Sequence, residues 1–155
     1  MKLLFLCTGN YYRSRFAEYY VRHRALQLGW DCSVASRGLG LTSKNVGPLS
    51  PFAMAECQRF GISYQPCRLP LALCVSDLEQ ADRTIALKEA EHRPLMQQLF
   101  PDWESRISYW QVHDIDCATP EESLPHLRRL LDELIQQGTG SFPAFNCIRL
   151  LNTAP

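Results

Sequence analysis

The chain has 155 residues, the length of one ordinary domain able to bury a full core without disulfide or metal staples. Hydrophobic residues make up 46% of it, which excludes a disordered chain, and 16 Lys plus Arg balance 16 Asp plus Glu, which excludes a whole-protein field that would draw in nucleic acid or a membrane surface. No apolar run approaches the length of a membrane span. Lys2-Leu3-Leu4-Phe5-Leu6 is too short for a signal peptide and lacks a cleavage region, so a cytoplasmic protein is expected. The seven cysteines, at 7, 32, 57, 67, 74, 117 and 147, are an odd number without Cys-x2-Cys or paired Cys/His spacing, so neither a disulfide framework nor a metal site is expected. Apart from Cys7 they read as small buried hydrophobes.

In chain order, Leu3 to Cys7 is an apolar run too short for a helix and reads as a buried strand. After a loop through Gly9, Ser14 to Leu28 carries a helical stripe of Phe16, Ala17, Tyr20, Val21, Ala25 and Leu28, with Gly29 as its stop. Cys32 to Ser36 alternates as a second strand ahead of a glycine-punctuated turn, Arg37 to Gly40; strand, helix, strand implies a right-handed parallel crossover. Leu41 to Leu49 reads as a surface loop, Ser50-Pro51 opens a helix ending at Gly61, and Ile62 to Ala72 reads as a connector. Ser76-Asp77-Leu78-Glu79 reads as the capping box of a short helix. Thr84 to Leu87 is a third strand buried on both faces, Lys88 to Phe100 a helix, and Ile107 to Val112 a fourth strand. A second capping box, Thr119-Pro120-Glu121-Glu122, opens the last helix, expected to run to about Gln137 and stop at Gly138; residues 139–155 form a tail assigned to no element. With no repeat or linker, residues 1–155 read as a single three-layer α/β domain. Its core is a doubly wound, four-stranded parallel sheet of flavodoxin-like type in order 2-1-3-4. Ligands bind such sheets at the carboxyl ends of the strands, where Cys7 lies.

The loop from Cys7 to Ser14 leaves its own N–H groups, and those of the first helical turn, without partners and aimed into one concavity that suits an anion. Cys7 and Arg13, with five residues between them, bracket it, the thiol at the floor and the guanidinium folded over the rim. A helix N-terminus and an adjacent cation both favour the thiolate, which places a nucleophile inside a phosphate cradle. Arg13 offers a planar fork that matches two phosphate oxygens, and its contacts strengthen as charge spreads over them during transfer. Arg15, Arg22 and Arg24 lie on the same helix, so a positive local field is expected. A leaving alkoxide or phenolate needs a proton, and the turn Val112-His113-Asp114-Ile115-Asp116-Cys117 brings two carboxyls to the same sheet edge.

The run Cys7-Thr8-Gly9-Asn10-Tyr11-Tyr12-Arg13-Ser14 resembles the loop of the low-molecular-weight protein tyrosine phosphatases and of their relatives, the thioredoxin-coupled arsenate reductases. The resemblance implies that Thr8, Gly9, Tyr11 and Tyr12 give phosphate-binding N–H groups, Asn10 holds the strained loop, and Ser14 steadies the Cys7 thiolate. It sets Asp114 as the general acid, because the family has an aspartate followed by proline after a stretch like Trp110-Gln111-Val112-His113. Ile115 replaces that proline here, so Asp116 and His113 stay open as alternative acids. Asn45-Val46-Gly47 is similar to part of the family's cleft wall, and the third strand with His92 beyond it is similar to the family's middle region. Ser36 is set against a serine that bonds the loop asparagine, and reads equally as an ordinary strand-end serine. Tyr12 stands where members often carry a second, protective cysteine, and Asp116 and Cys117 stand where they carry aromatic residues.

Together these readings imply a protein-tyrosine-phosphatase-like phosphomonoesterase. It would hydrolyse a phosphorylated protein or small aryl phosphate through a cysteinyl-phosphate and release inorganic phosphate. Neither metal nor other cofactor is expected, because Arg13 and the loop amides supply the positive field. Tyr11 and Tyr12 either stack on the substrate ring or pack locally. Two alternatives stay open. An arsenate reductase needs two further cysteines to relay a disulfide; the family puts one where Leu87-Lys88-Glu89 stands, leaving Cys67 and Cys74 as candidates ahead of the third strand. A non-catalytic phosphate-binding protein would keep the cradle and lack the acid. A P-loop nucleotide hydrolase is excluded, since the chain has no Gly-x4-Gly-Lys.

Overall fold

The computed structural model describes residues 1–114 and 119–140, so Asp116, Cys117 and the tail from 141 onward lie outside the described residues. Lys2–Cys7 (β1) sits between Ser33–Gly38 (β2) and Arg83–Ala86 (β3), and Ser108–Tyr109 (β4) extends the sheet beyond β3. All pairs are parallel, and the order is β2-β1-β3-β4, as the crossover pattern of the sequence requires. The helices are Arg13–Leu28 (α1), Pro51–Arg59 (α2), Val75–Gln80 (α3), Glu89–Leu99 (α4) and Pro120–Thr139 (α5). Among the described residues no helix is long and apolar enough to cross a membrane.

A central parallel strand is covered on both faces, so β1 is apolar throughout its buried length. Leu3 and Phe5 pack with Phe16 and Val21 of α1 and with Leu127, Leu131 and Leu134 of α5. Leu4 and Leu6 pack on the opposite face with Leu78 of α3 and Met96 of α4. Each such side chain contributes about 2 kcal/mol of burial, so the strand that ends at Cys7 is the most firmly held part of the sheet. The carboxyl ends of β1 and β3 and the chain leaving β4 converge on one edge, where α1 and α4 both begin.

Several boundaries differ from expectation for identifiable reasons. β2 runs through Arg37 and Gly38, because the connector continues the sheet: Gly38 N–H donates to Leu71 O and its carbonyl accepts from Leu73, both at 2.9 Å. A Cβ at Gly38 would lie 2.8 Å from Thr8 O and 2.6 Å from Leu41 Cδ2, so the strand needs glycine to approach the loop. The capping box of α3 starts two residues before the expected one: Cys74 is the cap, and Asp77 accepts from Cys74 N–H at 3.1 Å and from Arg37 Nε at 3.0 Å. β4 is only Ser108–Tyr109, although Trp110 and Val112 N–H still donate to Ala86 O and Leu87 O at 2.8 Å; this edge segment stays bonded while leaving strand geometry. The 3₁₀-helix Pro101–Arg106 before it was not anticipated. Gly138 does not stop the last helix, which the Thr119–Glu122 box opens as expected and Gly140 closes at φ 64°. Gly138 is packed under Trp30, whose ring would lie 2.2 Å from an added Cβ. Cys57 is buried as expected, its thiol pushed up to about 12 by desolvation, whereas Cys32 and Cys67 are partly exposed and Cys74 is exposed.

Candidate active site

The loop after β1 closes over a left-handed residue. Asn10 has φ 46° and no exposed surface, a strained position for a residue with a Cβ, and its side-chain amide is saturated. Nδ2 donates to Ser14 Oγ at 3.1 Å and Ser36 Oγ at 2.8 Å, while Oδ1 accepts from Arg68 Nη1 at 3.0 Å and Leu71 N–H at 2.9 Å. Ser36 Oγ in turn donates to Glu18 Oε2, which also receives Arg68 Nη2 at 2.8 Å. The loop is thus held from behind by a buried network drawn from α1, β2 and the connector. Asn10→Ala is expected to lower unfolding stability by about 3 kcal/mol, measured by urea denaturation, because it strips acceptors from two donors and leaves the φ strain uncompensated.

Ser14 links that network to the thiol. Its Oγ accepts from Asn10 and lies 2.9 Å from Cys7 Sγ, where its proton can be given to the sulfur when Cys7 is a thiolate. Cys7 and Arg13 are 3% and 1% exposed, and both line a cavity of about 380 Å³ together with Thr8, Tyr11, Tyr12 and Gly9 of the loop. Six of the loop residues therefore come together on one concave surface, while Asn10 and Ser14, also expected to bind phosphate, are buried and do not line it. Of the described cysteines, Cys7 is the one lining this cavity; Cys67 lies against Arg15 and Tyr19, and Cys74 caps α3.

Arg13 is pinned across the sheet edge. Nη1 donates to Val112 O at 3.1 Å, and Nη2 contacts Asp114 Oδ2 and both Glu91 oxygens, at 3.1 and 3.2 Å. Nε has no partner among the described residues. Asp114 is therefore brought to the cavity as expected, His113 is exposed outside it, and Asp116 lies outside the described residues. Desolvation works against the Arg13 charge, but Cys7, Asp114 and Glu91 outweigh it and hold the guanidinium more firmly protonated than usual. Burial likewise opposes ionisation of Glu91, yet the nearby His92 ring, the Thr8 hydroxyl that bonds Oε1, and the Arg13 charge keep its carboxyl well below the ordinary range.

Glu91 and Arg68 were not anticipated. Of the arginines on α1, Arg15 is buried against Arg68 O and Tyr19, Arg22 pairs with Glu18, and Arg13 faces two carboxylates. A readable signal existed for Glu91, which occupies the first turn of the helix leaving β3, at the edge where ligands bind. Tyr11 and Tyr12 pack locally, the second of the two readings, and both also line the cavity, Tyr11 OH donating to Val46 O at 2.7 Å and the Tyr12 ring lying edge-on to Phe52 at 6.0 Å. Asn45 also lines the cavity, as the cleft-wall similarity implied.

This architecture recurs in solved structures. A low molecular weight protein tyrosine phosphatase from T. tengcongensis is 26% identical and superposes with a TM-score of 0.74, the match covering 88% of this chain and 99% of that one. The YwlE arginine phosphatase from Geobacillus stearothermophilus is 20% identical with a TM-score of 0.70, over 88% of this chain and 91% of that one. The low molecular weight protein tyrosine phosphatase of Streptococcus pyogenes gives 19% and 0.72 over 88% and 91%. No curated protein matches the chain. The family model for low molecular weight phosphotyrosine protein phosphatases, however, matches residues 2–137, a span that begins with β1 and runs nearly to the end of α5. The chain belongs to the low molecular weight phosphotyrosine protein phosphatase family.

Proposed function

We propose that the chain hydrolyses aryl phosphates, phosphotyrosine on a protein being the leading case, through a cysteinyl-phosphate. The observation that carries this is the pairing of Cys7 with Arg13 on one cavity, the guanidinium Nε having no partner among the described residues. Cys7 Sγ attacks phosphorus in line, the S–P bond forming as the P–O bond to the leaving group breaks. Asp114 gives that oxygen its proton, while Arg13 and the amides of Thr8, Gly9, Tyr11 and Tyr12 hold the equatorial oxygens. Water then attacks phosphorus, Asp114 takes its proton, and inorganic phosphate leaves with the thiolate restored. The hydroxyl of Ser14 steadies the thiolate between turnovers. A nucleophilic thiol without a protective neighbour at Tyr12 suits the reducing cytoplasm.

The wall of Tyr11, Tyr12 and Phe52 supports an aromatic leaving group. A phosphorylated arginine is the second reading, favoured by the two carboxylates, Glu91 and Asp114, that would face a cationic leaving group. Hydrolysis of an aryl phosphate and of phosphoarginine, both with EDTA present, ranks the two. Preference for phosphoarginine overturns the aryl reading, and failure on both overturns the enzyme reading. With Asp114→Asn the rate is expected to fall roughly 10²-fold for an alkyl-like leaving group of high pKa and far less for an activated phenol. An equal fall for both would remove Asp114 from the acid role.

A further inference from the structure

Glu91 is the carboxylate that the phosphatase chemistry does not use. Its side chain is 27% exposed, lines the catalytic cavity and reaches it from the first turn of α4. Around it stand the Thr8 hydroxyl, Arg13 Nη2, Lys88 Nζ at 3.9 Å from Oε2 and His92 Nε2 at 3.5 Å from Oε1. Thr8 and Arg13 belong to the phosphate loop itself, 83 and 78 residues away in sequence.

Donor arithmetic gives this contact a consequence. A guanidinium grips two oxygens of a phosphoryl group along an edge made of two nitrogens, and both such edges, Nε with Nη2 and Nη1 with Nη2, include Nη2. Nη2 has two hydrogens, and here they face three carboxylate oxygens, two of Glu91 and one of Asp114. A bidentate grip therefore requires a carboxylate to leave. Asp114 has its own task at the leaving group, whereas Glu91 occupies Arg13 and Thr8 as an anion would.

We propose that Glu91 is a built-in competitor for the phosphate cradle, a carboxylate that the phosphoryl group must displace from Arg13 and that thereby sets the affinity of the site for phosphate and phosphomonoesters. The inference rests on the phosphate-cradle reading of the loop. It assigns Glu91 a role opposite to a support for Arg13: removing its charge tightens binding rather than weakening it.

The test titrates inorganic phosphate into wild type, Glu91→Gln and Glu91→Ala by calorimetry at neutral pH, and measures KM and kcat for an aryl phosphate on the same three proteins. Phosphate Kd and KM are expected to fall about tenfold in both variants, equivalent to about 1.4 kcal/mol, with KM changing more than kcat. A Kd that stays constant or rises overturns the proposal and makes Glu91 a support of Arg13. Hydrolysis reports separately on the phosphatase reading: a chain that turns over nothing, but binds phosphate more tightly once Glu91 is neutralised, keeps the competitor and loses the enzyme. A chain in which neither variant binds phosphate more tightly than wild type loses the competitor whatever its activity.

Discussion

Cys7→Ser is expected to reduce aryl phosphate hydrolysis by roughly 10⁴-fold or more, with binding of inorganic phosphate kept within a few-fold. A serine hydroxyl attacks only if a base takes its proton, and the group bonded to Cys7 Sγ is the Ser14 hydroxyl, which is not basic enough to take one. No base at that position can rescue the variant, so the loss falls on chemistry. Binding survives because the loop conformation is fixed from behind, by Asn10, Ser36, Glu18 and Arg68, none of which contacts the thiol. The check is steady-state hydrolysis beside calorimetric phosphate binding and a thermal melt. Retention of a tenth of the activity by a correctly folded Cys7→Ser protein would remove the thiol from the nucleophile's role.

The parts of the site legible in the sequence are those made by one contiguous run. A buried strand, a glycine loop and a helix N-terminus follow one another from Leu3 to Ser14, so local geometry alone places Cys7, Arg13 and the loop amides together. Strand order was legible for a similar reason, since the handedness of crossovers leaves few ways to wind alternating strands and helices. Groups that arrive from elsewhere were not. Arg68 reaches Asn10 across 58 residues from a connector with no periodicity, and Glu91 reaches Thr8 across 83. For Arg68 nothing in the composition of its segment distinguishes an ion partner from a solvated surface charge, and for Glu91 only its place in the first turn after β3 does. Ser36 stood between two readings, and its 2.8 Å contact with Asn10 required the register of β2 against β1, which pairs it with Phe5. Gly138 shows the opposite failure: a glycine near a helix end reads as a stop, but here the missing side chain makes room for Trp30, a tertiary fact.

Arg13→Lys should lower kcat/KM for an aryl phosphate by roughly 10³-fold, the scale attached to an arginine that stabilises a transferring phosphoryl group. Lysine keeps the charge, so Glu91 and Asp114 retain a cation and stability falls little. Arg13→Ala, in contrast, leaves both carboxylates facing each other at the cavity wall and should cost about 3 kcal/mol of unfolding stability. Comparison of the two separates charge from geometry. An ammonium cannot reproduce the planar edge, nor donate to Val112 O while reaching Asp114 and Glu91, so the strand-end segment 112–114 loses its tie to the loop. The deficit should therefore appear in kcat as well as KM, because Asp114, the proposed general acid, is positioned through the same guanidinium that is proposed to hold the phosphoryl group. Urea denaturation and steady-state kinetics on both variants read this directly. Activity of Arg13→Lys within tenfold of wild type would mean that a positive charge suffices at this position and that the two-nitrogen edge takes no part in catalysis.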